Sequence, residues 1–230
     1  REDAQGRGPA LGGRTVSTDI VAGPTPAGVR VERLVTSGTF TLDGGEWEVD
    51  NNVWIVGDDT RCVVIDCAHD PDAILAAIGE RELTHILCTH AHNDHIDGAP
   101  GVAQATGAPI HLHPGDRVLW ELTFPDTAPD ADLEDGQRIP VGDLELQVRH
   151  TPGHAPGAVC LYAEALGVVF SGDTLFNGGP GATGRSFSDY PTIVFSIREQ
   201  LLTLPPETIV LTGHGDATTI GAEAAGLGQA

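Results

Sequence analysis

Thr89-His90-Ala91-His92-Asn93-Asp94-His95 decides how this sequence is read. Three imidazoles and a carboxylate sit directly behind the apolar run Ile86-Leu87-Cys88. A buried strand ending in such a loop offers the donors preferred by zinc and other borderline divalent metals. Strand alternation would put His90 and His92 on one face, so that two nitrogens reach one ion. Asp94 and His95 follow where the chain must leave the strand, and can aim at a second position beside the first. A solvated loop that is histidine-rich by chance is the plainer alternative. The density of donors behind a buried strand argues against it.

Upstream of this loop, residues 1–28 are rich in Gly, Pro and charge and lack an apolar period, which predicts a mobile arm before a single domain over 29–230. Apolar and polar residues alternate from Val29 to Leu42, and Asp43-Gly44-Gly45 predicts a hairpin turn into the strands around Trp47 and 53–56. A buried strand over 61–67 ends at Asp66. The spacing of Ile74, Leu75 and Ile78 predicts a helix over 71–81, with Asp70 as N-cap and Pro71 in its first turn. Downstream, a helix over 98–106 stops at Gly107, followed by a short strand at 109–113 and a short helix at 114–122. Strands are expected over 141–150, 159–163, 168–171 and 208–212, with a glycine-rich loop at 177–188 and a helix over 192–204. Strands cluster and then alternate with helices, twice over. That order implies an α/β protein with two sheets face to face and helices outside, a four-layer αββα sandwich.

The chain has 230 residues, with 33 acidic and 12 basic residues and a formal net charge of −21. Such a surface repels phosphate backbones and anionic membranes, so a small molecule is the expected partner rather than nucleic acid or a bilayer. No run has the length of a membrane span. Cys62, Cys67, Cys88 and Cys160 form no Cys-x-x-Cys pair and sit in or beside apolar runs. Free buried thiols and a reducing cytoplasm are therefore expected. The pattern carries no signature of oligomeric state.

Four predicted strand ends carry metal-competent residues: the 90–95 loop, His154, Asp173 and His214. Each lies beside glycine, or Gly and Pro, where the backbone turns sharply. Side chains at strand ends can converge on one edge of a sheet. This set resembles the metallo-β-lactamase superfamily, whose His-x-His-x-Asp-His loop is followed by His, Asp and His at later strand ends. The resemblance runs from about Val29 onward and implies the same four-layer fold. It implies that His90, His92 and His154 hold one metal, that Asp94, His95 and His214 hold a second, and that Asp173 bridges them. Two zinc ions per chain are expected, with iron or manganese accommodated by the same donors. Asp66 matches an aspartate that lies behind the ligands and orients the histidine loop. His69, His85, His111, His113 and His150 are read as structural.

Two metals lower the pKa of a shared water, so that hydroxide is available near neutral pH. One ion can also polarise a carbonyl. In this reading Asp94 and Asp173 serve catalysis as ligands. The run Phe170-Ser171-Gly172-Asp173-Thr174-Leu175-Phe176 and the run Thr151-Pro152-Gly153-His154 resemble glyoxalase II and related thioester hydrolases. True β-lactamases lack the bridging aspartate, and the net charge argues against the RNA-processing members. Only sixteen residues follow His214, so no counterpart is expected of the helical domain that anchors glutathione in the long glyoxalase II enzymes. The chain resembles the short glyoxalase-II-like hydrolases, and its 178–187 segment is similar to that of small hydrolases associated with mycothiol metabolism. This implies a hydrolase acting on a thioester of a low-molecular-weight thiol, with Asn177, Gly178, Gly179 and Arg185 contacting substrate. For Arg185 a structural pairing with Asp189 or another acid is the alternative. Persulfide dioxygenases resemble the same short architecture and would hold one iron through His90, His154 and Asp173. A lactonase and a non-catalytic metal-binding scaffold are the other readings.

Overall fold

A computed structural model describes residues 17–227. The first sheet takes its strands in chain order: β1 (Asp19–Ala22), β2 (Arg30–Leu42), β3 (Gly45–Gly57), β4 (Arg61–Ile65), β5 (Glu82–Leu87), β6 (Ile110–Leu112) and β7 (Ala131–Asp132). Its first three pairings are antiparallel and its last three parallel. The second sheet contains β8 (Arg138–Val141), β9 (Leu144–His150), β10 (Val159–Ala163), β11 (Val168–Gly172), β14 (Ile209–Thr212) and β15 (Thr218–Thr219). A small hairpin, β12 (Leu175–Phe176) with β13 (Gly179–Pro180), stands apart. The expected hairpin turn is present: Leu42 pairs with Gly45, and Asp43 and Gly44 both take positive φ, 52° and 75°. Two left-handed residues make the turn whose twist suits paired strands.

Strand alternation builds the layers. Trp54, Val56, Val63, Ile65 and Leu87 of the first sheet pack against Leu146, Val148, Leu161, Phe170 and Leu211 of the second. The intervening residues Val53, Ile55, Val64 and Ile86 face outward and are covered by α1 (Pro71–Ile78), α3 (Ala99–Thr106) and α4 (Arg117–Thr123) through Ile74, Val102 and Trp120. On the far side Cys160, Tyr162, Val169 and Val210 are covered by α5 (Tyr190–Ser196) and α6 (Ile220–Leu227) through Ile193, Ile220 and Leu227. The result is the four-layer αββα sandwich. A single-turn helix, α2 (Asn93–Ile96), follows the histidine loop.

Several boundaries differ from the sequence reading. Of the arm expected over 1–28, residues 1–16 lie outside the described residues. Residues 19–22 form edge strand β1, because their backbone pairs with β2 at Val31–Arg33. Helix α1 stops at Ile78 rather than Arg81. The Arg81 guanidinium turns back to donate to the carbonyls of Ala77 and Ile78 at 2.8 and 2.9 Å, satisfying open acceptors of the last turn. Helix α5 begins earlier than expected, capped by Asp189, and runs into a π-helical turn over Ile197–Leu201. Helix α6 was not anticipated; its Ala/Gly-rich sequence lacks a clear apolar stripe. All four cysteines are buried and free. No described helix is long and apolar enough to cross a membrane.

Candidate metal centre

The parallel relations in both sheets bring the ligand-bearing loops to one edge. Strands β9, β11 and β14 run the same way, so His154, Asp173 and His214 leave the same edge of the second sheet. Strand β5 delivers the histidine loop from the first sheet. Gly213 belongs to this close approach: a Cβ there would overlap Asp173 Oδ1 and crowd the His95 ring. His90 and His92 do not converge by strand alternation as expected. Strand β5 ends at Leu87, and the backbone N–H of Thr89 turns to the Asp66 carboxylate at 2.7 Å. His90 presents Nε2 and His92 presents Nδ1, 3.0 Å apart, while Asp94 and His95 are carried by α2.

The donor atoms form two adjoining groups. His154 Nε2 lies 3.0 Å from His92 Nδ1, completing a trio with His90. Asp94 Oδ2, His95 Nε2 and His214 Nε2 form the other, with separations of 3.2, 3.3 and 3.5 Å. Asp173 lies between them. Its Oδ2 is 3.5 Å from both His154 Nε2 and His214 Nε2, and its Oδ1 is 3.4 Å from His95 Nε2. Ligands on a tetrahedral zinc at 2.0–2.1 Å stand about 3.3 Å apart, so these spacings fit a divalent ion in each group.

Hydrogen bonds on the far side of the rings set the tautomers. His95 Nδ1 donates to Asp66 Oδ2 at 2.9 Å, His154 Nδ1 to the Ala182 carbonyl at 2.8 Å, and His214 Nδ1 to the Asp50 carbonyl at 2.8 Å. Thr89 Oγ1 donates to Asp66 Oδ2 at 2.7 Å and so can accept from His90 Nδ1 at 3.1 Å. In each case the ring, once neutral, presents a lone pair on the nitrogen facing the centre. Asp94 Oδ1 and Asp173 Oδ1 are buried with no hydrogen-bond partner. Buried carboxylate oxygens without donors are what a cation is needed to satisfy.

The charge balance agrees. Burial and the neighbouring rings push His90 well below the usual imidazole range. Burial and His154 likewise push His92 down to about 3, and burial lowers His154 despite Asp173. That trio is neutral. His95 and His214 also lose by burial, but Asp94 and Asp173 draw protons to them, raising His95 well above its range and His214 to about 10. Burial disfavours both carboxylates as anions, yet the same histidines hold Asp94 down at about 2 and Asp173 well below the usual carboxylate range. Protons on His95 and His214 thus occupy the role a cation takes when bound.

The structure adds groups that the sequence reading left out. His69, read as structural, donates through Nε2 to Asn51 Oδ1 at 2.8 Å, and its Nδ1 lies 3.1 Å from Asp97 Oδ2; Asn51 Nδ2 donates to Asp94 Oδ2 at 3.1 Å. A chain Asp97–His69–Asn51 therefore supports Asp94, as Asp66 supports His95. The signal was present in Asn51-Asn52, two polar residues beside a buried strand. Asp116, fully buried, accepts from Ala91 N at 2.8 Å and from Gly157 N, tying the histidine loop to the His154 loop; burial raises its pKa to about 6. Asn93 pins β2 to the loop, donating to the Thr39 carbonyl at 2.7 Å and accepting from Thr41 N at 2.8 Å. Phe40 thereby comes within 5.1 Å of the His92 ring.

A recess of about 440 Å³ opens over these donors, walled by Phe40, Leu42, Trp47 and Val49 of the long hairpin and by Phe176. Of the residues expected to contact substrate, Arg185 lines it. Asn177, Gly178 and Gly179 do not; they belong to the β12–β13 hairpin, which Gly178 N anchors to Glu223 on α6 at 3.1 Å. His150 faces away from the donors, stacked on His113 at 4.0 Å and bonded to the Pro156 carbonyl at 3.1 Å. His85 and His111 pack together at 5.0 Å.

The profile of the metallo-beta-lactamase superfamily matches residues 47–214. The chain belongs to that superfamily. Among curated relatives, the "Probable metallo-hydrolase YqgX" of Bacillus subtilis is 33% identical over 74% of this chain and 87% of its own length. The "Hydroxyacylglutathione hydrolase GloC" of Haemophilus influenzae is 32% identical over 72% and 85%. Solved metallo-beta-lactamase folds similar to this one include TTHA1623 in a di-iron-bound form (35% identity, TM-score 0.70, 76% of this chain and 93% of that one). BLEG-1 B3 metallo-beta-lactamase follows at 29% (TM-score 0.70, 83% and 97%), and ETHE1 from Myxococcus xanthus at 27% (TM-score 0.65, 82% and 81%). Within the superfamily this chain is a metallohydrolase with glyoxalase-II-like homologues and clustered His and Asp donors.

Proposed function

We propose that the chain is a dinuclear hydrolase that cleaves a thioester of a low-molecular-weight thiol. The observation that carries this reading is Asp173, whose two oxygens face His95, His154 and His214 at 3.4–3.5 Å. A carboxylate so placed belongs to both donor groups. Two divalent ions held by His90, His92 and His154 and by Asp94, His95 and His214, with Asp173 shared, would supply a water acidic enough to ionise near neutral pH and a Lewis acid for the carbonyl. The chain's own part is orientation. Asp66 and the Asp97–His69–Asn51 chain hold His95 and Asp94 in place, and the hairpin aromatics limit water around the acyl group. The likeness to hydroxyacylglutathione hydrolases supports a thioester over other acyl bonds.

The likeness to ETHE1 supports a second reading, a persulfide dioxygenase with one iron at His90, His154 and Asp173. The intact Asp94–His95–His214 group argues for two ions. The test is a rate comparison of zinc-loaded protein on S-lactoylglutathione, a mycothiol thioester, an acyl lactone and a β-lactam, the last included because of BLEG-1. Fastest turnover is expected on a thioester. Oxygen uptake on a glutathione persulfide by protein carrying one iron, with no thioester turnover, would overturn the proposal.

A further inference from the structure

Two segments distant in sequence meet at the mouth of the recess. The Arg185 guanidinium lies over the Trp47 ring, 3.8 Å from its centroid, and 5.4 Å from that of Phe40. Asp43, in the hairpin turn, accepts from Ser186 N at 3.0 Å and holds the two segments together. The sequence offered Asp189 as a partner for Arg185. Asp189 instead caps α5, accepting from the N–H and hydroxyl of Thr192 at 2.9 and 2.6 Å. Arg185 makes no ion pair within 4 Å with any described residue, neither with Glu48 nor with Asp43, whose carboxylate the bonds from Ser186 and then the Arg185 charge hold below the usual range.

A guanidinium stacked through its face keeps its in-plane N–H groups for another partner, and their fork matches the two oxygens of a carboxylate. Arg185 is the one Lys or Arg among the residues lining the recess, whose charged donors are otherwise acidic or imidazole. In a chain of net charge −21, an arginine stacked on the aromatic wall of the recess that also contains the metal donors has a discriminating role.

We propose that Arg185 binds a carboxylate carried by the substrate away from the scissile carbonyl, so that anionic thioesters are preferred over neutral ones. The proposal rests on the thioesterase reading above. The carboxylate can belong to the thiol half or to the acyl half, and two matched pairs separate these. S-Acetyl-N-acetylcysteine is compared with its primary amide, and S-succinyl-N-acetylcysteinamide with its methyl ester. With zinc-loaded protein, kcat/KM of the acid is expected to exceed that of its neutral partner about three- to tenfold in one pair, mainly through KM. The responding pair identifies the half that carries the charge. In Arg185→Gln the acid-to-neutral ratio is expected to fall to about one, and Arg185→Lys to recover part of it. Equal rates within both pairs, or a preference that survives Arg185→Gln, overturns this inference and leaves the thioesterase reading standing. Hydrolysis of no thioester overturns both.

Discussion

Replacing Asp66 by asparagine changes one atom and reaches the metal centre through a tautomer. Asp66 Oδ1 accepts from Thr89 N at 2.7 Å, and Oδ2 accepts from Thr89 Oγ1 at 2.7 Å and His95 Nδ1 at 2.9 Å. A backbone N–H cannot reverse its role, so the asparagine oxygen must stay at Oδ1 and its NH2 must face His95. Nδ1 then has to accept, and the ring proton moves to Nε2, which points at His214, Asp94 and Asp173. Changes to groups behind metal-bound histidines typically lower metal affinity about 10- to 100-fold, equivalent to about 1.4–2.8 kcal/mol. The loss is expected in the Asp94–His95–His214 group alone. His90, His92 and His154 keep their partners, because Thr89 Oγ1 can accept from both the new NH2 and His90 Nδ1. Competition of zinc-loaded protein with a chromogenic chelator resolves the two affinities. Asp66→Asn should show one site within a few-fold of wild type and one weakened by the stated factor, with activity restored by excess zinc. Two sites of wild-type affinity would refute the tautomer argument.

Removing the shared carboxylate, Asp173→Ala, should lose one ion and reduce thioester hydrolysis at least about 100-fold; full retention of both ions in elemental analysis would contradict the bridging role. Near neutral pH the centre holds protons on His95 and His214, because Asp94 and Asp173 raise both. Those protons must leave when a cation binds, so zinc uptake should release protons and apparent affinity should fall as pH is lowered from 8 to 6, which calorimetry in buffers of different ionisation enthalpy would read. An affinity independent of pH would oppose this account. At Gly38 a Cβ would overlap the His69 ring, so Gly38→Ala should cost about 1–3 kcal/mol in denaturant unfolding. In a His69→Ala background the same change should cost less than half as much; an undiminished cost would place the clash elsewhere.

The hairpin at Asp43-Gly44, the buried strands and the ligand-bearing loops were legible because each is a local pattern: alternation, a left-handed turn pair, donors behind an apolar run. The four layers followed from the order of these elements. What sequence could not supply lies in contacts between distant segments. His69 had no partner in its own neighbourhood; its partners Asn51 and Asp97 arrive from β3 and from the end of α2. Asp116 likewise acts between two loops, at Ala91 and Gly157. Asn177, Gly178 and Gly179 of the glycine-rich 177–188 segment were expected at substrate, but they lie outside the recess, with Gly178 N bonded to Glu223 on α6, a helix whose weak apolar period hid it. The segment's second half reaches the recess through Arg185 on Trp47, a contact that no spacing encodes.

In the proposed centre two ions per chain share Asp173. The measurement that tests this most directly is the zinc content of reconstituted, chelator-washed protein, counted by elemental mass spectrometry against protein concentration. Near two zinc per chain is predicted, and saturation at one would contradict it.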